Sequence, residues 1–241
     1  MISRRKIVSL LLFPLLLIRC GGTVIPIDPV QEIRKTFASN RSYTLILKDM
    51  DLRNDQYFHK YDLFEVAADS TVKITTTEWK KVSDEFFLLH ENNLGMELIS
   101  QMKDGNINRL ITPPGFTNFV GNETYGSWVP VYTDTLNVLS YSDSTIWQFN
   151  SQFSHLEKKL GLTGLDVTQR EYEEFQQNYL FNRPYYGDKT VTDSTKYGTR
   201  SSHFYGMYPW FYARRAQKRN FNKPHTPSTS SGSRGGGGFG K

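Results

Sequence analysis

The sequence predicts an α+β fold: an N-terminal helix with an antiparallel β-meander, then a helical hairpin among aromatic and glycine-rich loops, and a disordered basic C-terminal tail. Three observations predict it. A capped helix start stands at Asp28, runs of period two follow between Tyr43 and Ile111, and apolar stripes of helical period occupy residues 146–160 and 172–179. A chain of 241 residues with 38% hydrophobic content can build a real core, which excludes collagen, coiled-coil and wholly disordered classes.

In chain order, Asp28 reads as an N-cap, Pro29 as the first helical residue and Gln31 as the partner of a capping box, so a short helix runs to about Ala38. Tyr43-Leu45-Leu47, Val72-Ile74-Thr76 and Met96-Leu98 alternate with polar neighbours as half-buried strands do. Phe86-Phe87-Leu88-Leu89 reads as a strand apolar on both faces. Asn92-Asn93 and Asp104-Gly105 are hairpin signals between such runs, giving about five antiparallel strands as far as Ile111. A helix packed across a curved sheet, as in cystatin-like folds, satisfies this order, and fold-level likeness licenses no function.

Thr112-Pro113-Pro114-Gly115 interrupts the pattern, and the chain as far as Tyr141 reads as loops rich in glycine and aromatic residues. Ile146, Phe149, Phe153, Leu156 and Leu160 then recur at spacings of three and four and stop at Gly161. Thr168 and Glu171 form a capping box, after which Tyr172, Phe175 and Tyr179 make an aromatic stripe ending before Arg183-Pro184. Residues 162–168 are long enough to join the two helices as an antiparallel hairpin. From about Asn220 the proline, serine and glycine content is too high for a packed core, and disorder is expected.

The N-terminus carries an address. Arg4, Arg5 and Lys6 precede an apolar run from Ile7 to Ile18, the layout of a secretory signal. Twelve apolar residues span about 18 Å as a helix, short of a hydrocarbon core of roughly 30 Å, so the segment is expected to be removed. The stretch Leu17-Ile18-Arg19-Cys20 resembles the lipobox of bacterial lipoproteins, with Arg19 where that family usually places a small residue, and Cys20 is the only cysteine in the chain. The resemblance covers about the first twenty-two residues and implies that Cys20 is lipidated on sulfur and becomes the first residue of the mature protein. It also implies a home in the bacterial cell envelope. Gly21, rather than an aspartate, after the cysteine implies the outer membrane over the inner.

The organisation that follows is a signal peptide over 1–19, a lipidated tether over 20–28, helix plus sheet over 29–112, aromatic loops and helical hairpin over 113–212, and a basic tail over 213–241. Loss of Arg4, Arg5, Lys6 and Arg19 with the signal leaves 25 bases against 24 acids. From Ser194 to Lys241 there are nine bases and no acid, while the rest of the mature chain carries 16 bases and 24 acids. An acidic body therefore bears a basic tail.

Motifs that carry chemistry are few. His90-Glu91-Asn92-Asn93-Leu94 lacks the second histidine of a zinc-protease motif, and Asp49 to Asn54 puts an arginine and an asparagine where a calcium loop needs a ligand and a glycine; the latter reads as a polar loop. Gly235, Gly237 and Gly240 match a phosphate-loop spacing with no helix to follow. Neither a metal nor a cofactor is expected. Two features point to binding. Tyr125, Trp128, Tyr185, Tyr186 and Trp210 stand in aromatic–glycine clusters that either stack on sugars of an envelope glycan, form an interface, or fill the core of a loop-rich domain.

The second feature is the segment Tyr208–Phe221, read as a helix with Pro209 in its first turn. Trp210, Ala213, Ala216 and Phe221 lie on one arc and Arg214, Arg215, Lys218 and Arg219 on another, with Lys223 beyond. Such an array suits anionic lipid, lipopolysaccharide phosphates, an acidic partner or the protein's own acidic body. Export argues against nucleic acid. The expectation is a membrane-anchored envelope lipoprotein with a non-catalytic binding or scaffolding role, its basic tail on an anionic envelope component. The alternative is an envelope hydrolase with a site between the sheet and the aromatic loops.

Overall fold

The computed structural model describes residues 28–36, 42–135, 138–188 and 194–218, and the fold is mixed α+β. The expected disorder beyond Asn220 and the whole signal segment lie outside the described residues. Helix α1 (Pro29–Thr36) begins as its local sequence dictates, with Asp28 Oδ1 accepting from the amides of Val30 and Gln31 at 2.9 and 3.1 Å.

The main sheet contains six antiparallel strands, ordered β3-β2-β1-β5-β6, with β4 pairing a second stretch of β2. Strands β1 (Ser42–Arg53) and β2 (Gln56–Val66) form a long hairpin through Asn54 and Asp55, both at positive φ as a tight primed turn requires. The sequence reading of Asp49–Asn54 as a polar loop is thereby corrected, since residues 49–53 are strand. Strands β3 (Val72–Thr76) and β4 (Lys80–Val82) follow on the outer side of β2, and β5 (Glu97–Gln101) and β6 (Ile107–Asn108) on the other side of β1. Asp104-Gly105 turns between β5 and β6 as expected, with Gly105 at positive φ.

A bulge in β1 decides what the two faces carry. Leu47 pairs with Tyr61 but Asp49 pairs with Lys60, so one residue is extra on β1. Before the bulge Tyr43, Leu45 and Leu47 face one apolar cluster. After it Met50 takes that face, with Leu52 packed against the same cluster. Asp49 and Asp51 consequently point to the opposite side, a reversal no simple alternation would produce.

Phe86–Leu89 is not a strand. Those residues end helix α2 (Asp84–Leu89), whose N-cap Ser83 accepts from the Phe86 amide, with Asp84 and Glu85 in the first turn where the helix dipole favours acids. Phe87 is fully buried, whereas Leu89 is exposed. Asn92-Asn93 likewise links α2 to β5 rather than joining two strands.

The segment read as loops contains a second sheet, a ribbon of β7 (Gly126–Thr135) and β8 (Val138–Phe149). Ile146 and Phe149, assigned by their spacing to a helix, belong to β8. Helical backbone begins only with a 3-10 turn at Ser151–Phe153 and continues in α3 (Ser154–Lys159), ending at Gly161 with φ +73°.

Helix α4 (Gln169–Leu180) starts at Thr168, whose hydroxyl accepts from the Glu171 amide at 3.2 Å, as predicted. The expected two-helix hairpin is replaced by packing on β8. The segment joining α3 and α4 runs beside that strand, with the Trp147 amide donating to Val167 O at 2.8 Å and Thr168 bridging Ile146. Two further helices close the fold: α5 (Ser202–Met207), capped by Ser201, and α6 (Pro209–Gln217), which crosses the expected border between residues 212 and 213.

Candidate functional site

The aromatic stripe of α4 forms one wall of an open cleft of about 380 Å³. Tyr172, Phe175, Gln176 and Tyr179 share a helix face because they recur at spacings of three and four. Phe116 and Thr117, from the turn after Pro113-Pro114-Gly115, supply the opposite wall. Phe116 sits edge-on to Phe175, ring centroids 5.4 Å apart, and 5.9 Å from Tyr172. Rings, amides and a hydroxyl dominate the lining, which carries no acid and no base. At the outer end of α4, Leu180 and Phe181 are exposed. The arrangement offers apolar faces beside hydrogen-bonding groups, which suits an uncharged amphipathic ligand.

The aromatic residues singled out from sequence do not form this site. Tyr125 and Tyr185 are buried, and Trp128 packs against Tyr172 and Trp147 with centroids 5.7 and 5.1 Å away. The Tyr186 hydroxyl donates to Asn93 Oδ1 at 2.7 Å. These four belong to, or pack on, the core cluster that also contains Phe116 and Phe175, so the core-filling alternative applies to them. Trp210 alone is strongly exposed, at 79%. The stripe of α4 was legible as a helix face. Phe116 and Met102 were not legible as its partners, because they come from distant turns.

The basic segment is also rearranged. Helix α6 turns Phe211, which is buried, together with Arg214 and Lys218 toward the body. Arg214 donates to Asp49 and Lys218 to Asp51, and Arg53 Nε joins Asp51 Oδ2 at 2.7 Å. The Arg53 and Arg214 guanidinium carbons lie 4.3 and 5.9 Å from the ring centre of Trp79. Burial pushes the Asp49 carboxyl above its ordinary value against the pull of Arg214. Burial pushes Asp51 the same way, but hydrogen bonds from Lys218 and Arg53 outweigh it and hold that carboxyl low. The expected arc of outward bases is corrected: the bulge in β1 presents two carboxylates to α6, and two of its bases turn inward to meet them. Arg215 lies 6.0 Å from the Phe211 ring centre. Cys20, Arg219 and Lys223 lie outside the described residues.

Two buried titratable groups, Glu97 and His59, went unnoticed in the sequence. Glu97 is fully buried between β5 and the 112–117 turn, where Ser100 Oγ and Thr112 Oγ1 donate to it at 2.9 and 3.1 Å. Burial pushes its carboxyl up against those bonds, yet it does not line the cleft. His59 and His90 face each other with ring centroids 6.3 Å apart, and burial lowers them to about 3 and about 4.

Among the described residues no group of three or more His, Cys, Asp or Glu side chains could hold a metal ion, and no helix is long and apolar enough to cross a membrane. No family model, curated protein or solved structure matches the chain.

Proposed function

We propose that the chain is an envelope lipoprotein, anchored to the outer membrane through a lipidated Cys20, whose body binds rather than catalyses and whose basic tail meets an anionic envelope component. The observation that carries the binding role is the α4 cleft. Its lining of aromatic rings, glutamine amides and the Thr117 hydroxyl carries no carboxylate, imidazole, amine or thiol. Glu97, a carboxylate between the sheet and the 112–117 turn, is fully buried and accepts from the Ser100 and Thr112 hydroxyls. The cleft suits a sugar chain of the envelope, which presents flat apolar faces edged with hydroxyls. With Arg214 and Lys218 held by the body, the tail's contact falls to Arg215 and to the bases from Arg219 onward.

Cys20→Ala tests the anchor. The variant should leave the membrane fraction and cease to incorporate labelled fatty acid; an unlabelled wild-type chain would sink that part of the reading. Glycan strands released from purified peptidoglycan test the cleft. Tyr179→Phe, which keeps the ring against Phe175, and Gln176→Ala, both on the cleft wall, should weaken binding without lowering the melting temperature. Cleavage of the strands, or binding indifferent to both changes, would favour another role.

A further inference from the structure

A second cavity, of about 520 Å³, opens at one end of the main sheet and shares no residue with the α4 cleft. Its size is that of a small-molecule site. Ser42 begins β1 opposite Val66, the last residue of β2, and the turn that follows β2 is closed by backbone bonds from Ala67 to Ser70 and Thr71. The small side chains of Ala67 and Ala68 leave room on that side. Lys103, from the turn after β5, and residues of the 118–125 segment complete the walls.

The polar groups of this cavity are held in place. Asn118 Nδ2 donates to Tyr43 O, Thr44 Oγ1 and Gln101 O at 3.1, 2.9 and 3.3 Å. Three acceptors around one amide decide which of its atoms is nitrogen, and Oδ1, which accepts no bond from another described residue, is left as a fixed acceptor on the cavity wall. Ser70 holds a left-handed backbone, φ +67°, that costs a serine energy, and its hydroxyl stands against that of Tyr125. The Tyr125 ring fills the core against Phe119 and Phe153, centroids 5.1 and 4.9 Å away, and its residue borders the cavity. Lys103 is the one charged residue of the lining, and it makes no ion pair among the described residues. The neighbouring carboxylates of Asp69 and Asp104 accept instead from the amides of Thr71 and Asn106, at 3.1 and 2.9 Å, and Glu123 is exposed outside the lining.

We infer that the cavity at the end of the sheet binds a sugar acid, a hydroxyl-rich ring bearing one carboxylate. The carboxylate meets the Lys103 ammonium, ring hydroxyls exchange bonds with Asn118 Oδ1 and the hydroxyls of Ser42 and Ser70, and the C–H face of the ring lies on Val66 and Ala67. One base matches one negative charge. A phosphate ester carries nearly two and is met by arginine forks, several bases or a helix N-terminus, none of which lines this cavity.

Titration calorimetry on the full chain tests it with glucuronate, glucose, acetate and glucose 6-phosphate. Glucuronate should bind about tenfold more tightly than glucose, and acetate should not bind measurably. Lys103→Gln should bring glucuronate down to the level of glucose, as loss of a charge-assisted bond does, and Lys103→Arg should restore it. Ala68→Phe, which places a ring at the mouth, should abolish binding of both sugars. Lys103 and Ala68 are exposed, so neither change should move the melting temperature. The α4 variants Tyr179→Phe and Gln176→Ala should leave glucuronate binding as it is. Methyl β-glucuronide binding as well as glucuronate marks a residue within a polysaccharide as the source, and weaker binding marks the free sugar acid; either outcome keeps the site. Equal affinity for glucuronate and glucose, tighter binding of glucose 6-phosphate, no binding of glucuronate, or binding that survives Ala68→Phe overturns the inference. Loss of glucuronate binding in the α4 variants does so too, by moving the ligand to the cleft.

Discussion

Arg214 donates to the carboxylate of Asp49, 165 residues away along the chain. The pair joins the last described helix to the long β1–β2 hairpin, and Lys218 repeats the connection one turn further on at Asp51. Both carboxylates face α6 only because the bulge after Leu47 reverses the alternation of β1. A segment that reads as a free basic tail is therefore partly a clasp.

The clasp predicts where the chain can be shortened. Ending it after Asn220 keeps both pairs and should leave the melting temperature unchanged. Ending it after Ala213 removes Arg214 and Lys218, leaves two carboxylates of limited exposure without these partners, and should cost about 2 kcal/mol, or roughly 4–8 °C. A double-mutant cycle between Asp49→Asn and Arg214→Gln should show coupling; losses that simply add would mean the two side chains do not act on each other.

What could be read in advance was what depends on neighbours in sequence. The caps at Asp28 and Thr168, the stop at Gly161 and the turn at Asp104-Gly105 are local devices, and all four are present. Phe86–Leu89 was ambiguous because a short apolar run has no period; the preceding Ser83-Asp84-Glu85 decides for helix. Ile146 and Phe149 kept helical spacing with Phe153 only because the end of β8 runs straight into a helical turn. The destination of Arg214 and Lys218 was not legible at all, since it depends on a bulge set by strand pairing. Half of the cleft could be read from the stripe on α4, whereas Phe116 and Met102 reach it through tertiary folding alone.

Stability should fall in mild acid through His59 and His90. Both are lowered from the ordinary 6.5 by burial, so the folded state keeps them neutral where the unfolded chain takes up protons. Their contribution is complete above about pH 6.5 and is lost as pH drops from there toward about 4 and about 3. The slope reaches about 1.4 kcal/mol per pH unit for each histidine. Urea denaturation at pH 7, 6 and 5 measures it, and His59→Gln with His90→Gln should flatten the dependence. An equal slope in the variant would assign acid sensitivity to other groups.

Glu97 works in the opposite direction. Its partners are the Ser100 and Thr112 hydroxyls and the Thr117 amide, 3.5 Å from Oε1, rather than a base, and burial raises its carboxyl above the ordinary 4.5. The folded state therefore holds this proton more tightly than the unfolded chain does. The stability it contributes is complete below the unfolded value and is lost as pH climbs through the folded one. Glu97→Gln keeps the shape and the hydrogen-bonding capacity without a charge to bury, so it should raise stability at pH 7 and change little near pH 3. Glu97→Ala leaves the hydroxyls around a void and should cost about 2–4 kcal/mol at either pH. Denaturation of the three proteins at both pH values separates packing from ionisation. If glutamine proves as damaging as alanine at pH 7, the site requires the carboxylate itself, and a structural role for Glu97 is wrong.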